Sequence, residues 1–205
     1  MNTDLQKTYD RIASDWMKDH SSDDWWVPGT DYFLSQLPEG ATVLDVGCGA
    51  GIKSKYIQGK GYQVTGIDFS SKFIELAQTT SPKSEFQVLP MEEINTLPSV
   101  FDAVFAQASL LHIPKNQVAD ILAKVVEKTV VGGLVYVAVK ETKEGQPDEA
   151  VRKESDYGYE YERFFSYYSM PELEGYFKNA NLSVVWKDSS NYGQTTWLQI
   201  IGKRC

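Results

Sequence analysis

The sequence predicts an α/β fold: a mostly parallel sheet with helices on both faces. Three observations carry this expectation. Short, apolar, β-branched runs recur along the chain, stretches of helical periodicity separate them, and the last two runs are joined by a turn. The runs at residues 42–46, 63–67, 86–89, 103–106 and 134–139 read as buried strands, because they lack the polar alternation of a strand with one wet face. Between them, residues 53–58, 71–78 and 116–128 repeat their apolar positions at helical spacing. Alternation of strand and helix calls for parallel strands linked by crossovers. The order changes near the carboxyl end to a helix at 171–179 and strands at 182–186 and 195–201. These two strands are joined by DSSNYGQ, whose Asn191 and Gly193 favour an antiparallel reversal.

Ahead of the first strand, Leu5, Tyr9, Ile12, Ala13 and Trp16 follow helical repeats and predict an amphipathic helix over residues 4–16. A second helix is expected at 29–37, stopped by Pro38. The least regular segment is 141–161, polar and then rich in tyrosine. It is longer than an ordinary connection and is expected to be a functional or disordered loop.

Composition bounds the function. A chain of 205 residues with 42% hydrophobic content suits one domain with a sizeable core. The opening segment is polar and no apolar run reaches the roughly 18 residues of a membrane span, so the chain reads as soluble and not exported. Cys48 and Cys205 form neither a metal pattern nor a disulfide framework, which fits a reducing cytoplasm. The formal net charge of −8 repels phosphate backbones, and the scattered lysines and arginines make no basic patch, which argues against a nucleic-acid substrate.

The most informative stretch is VLDVGCGAG, residues 43–51, where Gly47, Gly49 and Gly51 follow an apolar run containing Asp45. In a sheet of this kind ligands collect beyond the carboxyl ends of the strands where the strand order reverses, and the first strand-to-helix turn lies there. Glycines in that turn allow positive φ and leave bare amides for a ligand, although three glycines can also serve a tight turn alone. Asp68 ends the second strand, 17 positions after Gly51, where a carboxylate can accept hydrogen bonds from both hydroxyls of a ribose. Asp45 is costly within a buried strand unless it holds loop amides or a cationic ligand.

Together VLDVGCGAG, GIDFS and FDAVFAQASLLHIP resemble the motifs of class I S-adenosylmethionine-dependent methyltransferases, in the same order and at similar spacing. The likeness covers about residues 34–139, and the final helix-strand-strand pattern is similar to that family's antiparallel last strand. The glycines run G-x-G-x-G, whereas dinucleotide-binding loops run G-x-G-x-x-G. The resemblance implies a Rossmann-like, mostly parallel sheet of seven strands, the last antiparallel, and S-adenosyl-L-methionine as cofactor, with no metal. It implies that Asp45 and the amides of Gly47 and Gly49 hold the methionine end, with Gly51 closing the loop, and that Asp68 grips the ribose. Phe69 would lie against adenine, Met91 and Glu92 at its edge, and Ala106 and Gln107 beside the sulfonium. Where many relatives carry an aspartate for the adenine amine this chain has Pro90, which leaves more of that recognition to backbone and shape.

A sulfonium brings its own leaving group, so transfer of its methyl calls chiefly for alignment and exclusion of water. A base can assist an acceptor oxygen or nitrogen, and His20 and His112 are the histidines available. His112 follows the fourth strand on the ligand side; packing under the loop competes there with catalysis. His20 reads as a partner for the carboxyl end of the first helix. Two covers are expected to set specificity: residues 1–37, with Tyr9, Trp16, Trp25 and Trp26, and residues 141–168, with the tyrosine cluster 157–168. In relatives a tyrosine of the first helix can reach the cofactor's carboxylate, which singles out Tyr9. Arg152 and Arg163 flank the cluster and could clamp an acidic small-molecule substrate or serve as surface ion-pair partners. Two competing functions remain at this point: an NAD-dependent oxidoreductase using Tyr56 with Lys60 or Tyr136 with Lys140, and a non-catalytic module that retains the cofactor fold.

Overall fold

The computed structural model describes residues 3–205. Its elements run α1 (Thr3–His20), α2 (Val27–Ser35), β1 (Thr42–Val46), α3 (Ile52–Gly59), β2 (Gln63–Asp68), α4 (Ser71–Thr80), β3 (Glu85–Val88), β4 (Phe101–Gln107), α5 (Lys115–Glu127), β5 (Thr129–Lys140), β6 (Glu149–Glu154), β7 (Tyr161–Ser166), α6 (Met170–Asn179), β8 (Leu182–Tyr192) and β9 (Thr195–Arg204). Short 3-10 turns follow β3 at Met91–Thr96 and β4 at Leu110–His112.

Seven strands form one sheet in the order β3-β2-β1-β4-β5-β9-β8. Strands β1 to β5 pair in parallel, and β9 runs antiparallel to both β5 and β8. The period of two along β5 divides the core cleanly. Val135, Val137 and Val139 enter one apolar cluster with α5 and α6, while Leu134, Tyr136 and Ala138 enter the other with Phe33, Leu34 and Ile57. Both faces are thus buried, which is why these strands carry continuous apolar runs. The reversal before β9 narrows to Gly193 and Gln194, with Gly193 at φ 58°, because β8 extends through most of DSSNYGQ.

Local chemistry fixes the helix starts. Ser70 caps α4 by accepting from the Phe73 amide at 3.1 Å. The stretch SMPE opens α6 with a reciprocal cap: Ser169 Oγ accepts from the Glu172 amide, and Glu172 Oε2 accepts from the Ser169 amide.

The segment expected to be a loop, 141–161, contains a strand. Strand β6 pairs antiparallel with β7 in a separate two-stranded sheet, with Ala150 opposite Phe165 and Arg152 opposite Arg163. Phe165, Tyr167 and Tyr168 anchor this hairpin in the core, and Tyr161 packs against α1. Its stability comes from those aromatics, and β6 itself is almost entirely exposed.

Candidate functional site

The strand order reverses between β1 and β4, so their carboxyl ends open a crevice. Tyr9, Gly47, Gly49, Asp68, Phe69, Met91, Gln107 and His112 line one cavity there, as the sequence predicted for this group. Four other expected residues do not line it.

Asp45 is buried behind the loop, where its Oδ2 accepts from Ser54 Oγ at 2.6 Å. It therefore ties β1 to α3, away from the cavity lining. Burial raises its pKa to about 6, against the lowering influence of Ser54 and Lys53. Ala106 points into the core; the strand runs one residue further than expected, and Gln107, Ala108 and Ser109 face the cavity instead. Glu92 borders a neighbouring hollow with Gln117, and its carbonyl accepts from Lys124 Nζ at 3.0 Å. Gly51 is a packing glycine, since a Cβ there would sit 2.9 Å from Ala77 Cα of α4.

The glycine loop thus serves two purposes. Gly47, Gly49 and Gly51 all have positive φ, at 73°, 52° and 76°. A Cβ on Gly47 would lie 2.4 Å from Ser109 Cβ, so the loop after β4 occupies that position. Of the three, only Gly49 would leave room for a Cβ, which would touch the Trp16 ring at an ordinary 3.8 Å. The loop amides are also engaged inside the protein: Gly47 donates to the Ile67 carbonyl at 2.8 Å and Gly49 to Asp68 Oδ2 at 3.0 Å. The expected hold of these two amides on a methionine tail is therefore not offered in this structure; the loop presents its bare Gly49 face.

Asp68 is buried and accepts from the Ser70 amide at 2.8 Å on its other oxygen. Burial raises its pKa to about 6, with the two amides opposing. A carboxylate has about four acceptor positions, so two remain for hydroxyl donors. Across the crevice, both amide atoms of Gln107 and Ser109 Oγ are buried without a partner among the described residues. Buried polar atoms are nearly always paired, so these three point to a polar ligand. Ala108, between them, holds a left-handed φ of 55°, a strain that accumulates at functional sites.

Sequence reasoning passed over Lys53. It stands in the first turn of α3, lines the cavity, and projects its ammonium over the rings of Trp16 and Trp26 at 5.6 and 5.7 Å. It has no hydrogen-bond or ion-pair partner among the described residues, and burial lowers its pKa.

Helix α1 is fastened across the crevice. Gln6 Nε2 donates to the Phe69 carbonyl at 2.7 Å, Asp10 accepts from Ser70 Oγ at 2.7 Å, and Asp15 accepts from the Tyr159 hydroxyl at 3.0 Å. The Tyr9 hydroxyl meets His112 Nε2 at 2.7 Å, while His112 Nδ1 meets the Phe164 carbonyl at 2.7 Å. A carbonyl can only accept, so Nδ1 carries the proton and Nε2 accepts from Tyr9. Burial, helped by the charges of Arg163 and Lys140, lowers the His112 pKa to about 3. His112 is thus a neutral residue with both nitrogens occupied. His20 Nδ1 donates to the Trp16 carbonyl at 3.0 Å, in the last turn of α1 as expected, and its ring also stacks on Trp16.

The tyrosine-lysine pairs lie elsewhere. Tyr56 and Lys60 share Asp31, and Tyr136 donates to Gln199 Oε1 at 2.7 Å. Neither pair lines the cavity. Among the described residues, no three His, Cys, Asp or Glu side chains gather to hold a metal, and no helix is long and apolar enough to cross a membrane.

Residues 43–133 match a family model described as methyltransferase domain. Over this stretch the chain is similar to the class I S-adenosylmethionine-dependent methyltransferases. Among curated methyltransferases it is similar to a ubiquinone biosynthesis O-methyltransferase of Dechloromonas aromatica, 35% identical over 134 residues that cover 56% of each chain. Methyltransferases of known structure share its fold. The 1,6-didemethyltoxoflavin-N1-methyltransferase of Burkholderia thailandensis, solved with 1,6-didemethyltoxoflavin and S-adenosylhomocysteine, superimposes at a TM-score of 0.77 and 18% identity, covering 98% of this chain and 88% of that one. A SAM-dependent methyltransferase of Methanosarcina mazei gives 0.74 at 22% identity, covering 86% and 97%. The curated methyltransferases are matched over only part of their length, from 34% to 56% in the first of them.

Proposed function

We propose that the chain binds S-adenosylmethionine in the β1–β4 crevice and transfers its methyl group to a small-molecule acceptor. The observation that carries this is the set of orphaned polar atoms on Gln107 and Ser109, facing the open flank of Gly49 and the half-satisfied carboxylate of Asp68. Such a cavity asks for a ligand with hydroxyls at one end and polar groups at the other, which describes a nucleoside with an amino-acid tail. Curated relatives are methyltransferases, which supports the same reading.

Asp68 would accept the ribose hydroxyls, and Phe69 and Met91 would flank the base. Lys53 would meet the tail's carboxylate, with Gln107 able both to donate and to accept beside it. When bound, the sulfonium supplies an electrophilic methyl together with its own leaving group. The chain's part is alignment and exclusion of water. Residues 1–37 and 141–168 form the covers that do this within one domain. His112 positions Tyr9 rather than drawing a proton from the acceptor, because its lone pair is already engaged.

Titration calorimetry with S-adenosylhomocysteine and NAD tests the reading. Binding of the first alone is expected, and Asp68→Ala should weaken it by about 1–3 kcal/mol through loss of charged hydrogen bonds. Equal binding of NAD, or an Asp68→Ala variant with intact affinity, would defeat it. A methyl-labelled cofactor offered with a substrate library then separates an enzyme from a binding module.

A further inference from the structure

A second pocket, open and about 750 Å³ in volume, lies between the end of β5, the 143–147 turn, the β6–β7 hairpin and the start of β9. Its floor holds Lys140, the last residue of β5, whose ammonium caps the Phe165 ring at 4.2 Å and stands 5.7 Å from that of Trp197. Among the described residues Lys140 Nζ has neither a hydrogen bond nor an ion pair. Burial lowers its pKa to about 8, and Arg163 and Arg152 push the same way. Glu154 opposes them, but both of its oxygens are chelated by Arg163 at 2.6 Å. Arg152 lies directly across the hairpin from Arg163, and like charges so placed repel. Its Nε donates to the Tyr167 hydroxyl at 3.1 Å, and among the described residues no carboxylate pairs with it.

The remaining charged groups on the rim leave this imbalance in place. Lys153 pairs with Glu162 across the hairpin, and Lys143 donates to the Gln194 carbonyl. Glu141 and Glu144 also line the pocket, and neither forms an ion pair with Lys140 or Arg152 among the described residues. Lys140, Arg152 and Arg163 thus act on one another around Glu154, whose two oxygens Arg163 already holds. A partly buried ammonium among aromatic rings, with a second cation held nearby against repulsion, costs stability unless an anion completes it.

The pocket also adjoins the reaction crevice. The Phe165 ring that Lys140 caps is also tilted against the His112 ring, their centroids 5.0 Å apart, and His112 lines the first cavity. These two touching rings link the pockets.

We infer that Lys140 and Arg152 bind the anionic group, a carboxylate or a phosphate, of a small acceptor whose apolar body lies against Phe165. Its role as acceptor site rests on the methyl-transfer reading; its capacity to bind an anion does not.

The test uses the full chain, titrated with benzoate, phenyl phosphate and benzamide and followed by NMR shifts, with S-adenosylhomocysteine binding measured separately. At least one of the two anions should bind roughly tenfold more tightly than the neutral benzamide. The order of benzoate and phenyl phosphate then assigns the anion. Lys140→Met should weaken the anion roughly tenfold and Arg152→Gln roughly threefold, while both variants keep wild-type affinity for S-adenosylhomocysteine. Should Lys140→Met not fold, Arg152→Gln, on an exposed strand, decides the matter. Equal binding of acid and amide, no binding of either anion, or variants that bind as wild type would overturn the inference. Anion binding without any S-adenosylhomocysteine binding would instead defeat the methyltransferase reading and leave the anion pocket standing.

Discussion

The two pockets handle charge in opposite ways. At the β1–β4 crevice each carboxylate is held from within: Asp68 by two backbone amides, Asp45 by the Ser54 hydroxyl. Under the hairpin, Lys140 has no ion-pair partner among the described residues and Arg152 faces Arg163. Acids fixed in advance by neutral donors can receive hydroxyls without rearrangement, which suits a ribose. Cations left uncompensated select a partner by its charge. The contrast teaches that a carboxylate can be held ready by the backbone, while a cation left without a carboxylate, at the end of β5 or on the β6–β7 hairpin, stays available to an outside anion.

Substitutions can break this contrast. The largest effect should come from Gly51→Ala, where the left-handed φ and the contact with the Ala77 backbone act together; a loss of about 3 kcal/mol in urea denaturation is expected. Gly49→Ala carries the strain of a positive φ but meets no backbone, so about 1 kcal/mol should be lost, with S-adenosylhomocysteine affinity reduced because the methyl enters the cavity. If both variants lose stability equally, the division into packing and ligand glycines fails.

Asp45→Asn comes next and sharpens the comparison through pH. Burial raises the Asp45 pKa from 3.8 to about 6, so the folded chain holds this proton more tightly than the unfolded one. The linked stability is complete below the unfolded value and is lost as pH rises through the folded one. The variant should thus gain about 1–3 kcal/mol over wild type above that window and nothing of this kind below it. Denaturation at the two extremes measures it. His112 works in the other direction: its pKa falls from 6.5 to about 3, so its share of stability is present above 6.5 and lost as the solution is acidified toward 3. The smallest change belongs to Lys140→Met, which removes an unpaired, partly buried charge and should raise stability by about 1 kcal/mol, seen as a higher melting temperature. A fall would mean that Lys140 has a stabilising partner after all.

Much of the sheet was legible because its signals are local. Strand β1 begins and ends where the β-branched run does, and the glycines sit in the turn that follows it. The family resemblance puts both Ala106 and Gln107 beside the ligand, but β4 continues through Gln107, paired with Ala138, so Ala106 turns into the core. Strand β6, EAVRKE, escaped notice because four of its six residues are charged and its order comes from pairing with YERFFS seven residues later. Lys53 was missed for a related reason. A lysine early in a helix reads as solvated, and only the approach of Trp16 and Trp26 from distant elements buries it.

The bonds that stitch α1 to Phe69, Ser70, His112 and Tyr159 hold it over the β1–β4 cavity, which its Tyr9 and Trp16 line. Traffic into and out of that cavity is then timed by the undoing of these stitches: arrival rates should level off as ligand is added, and a departing product must wait for the same helix to lift.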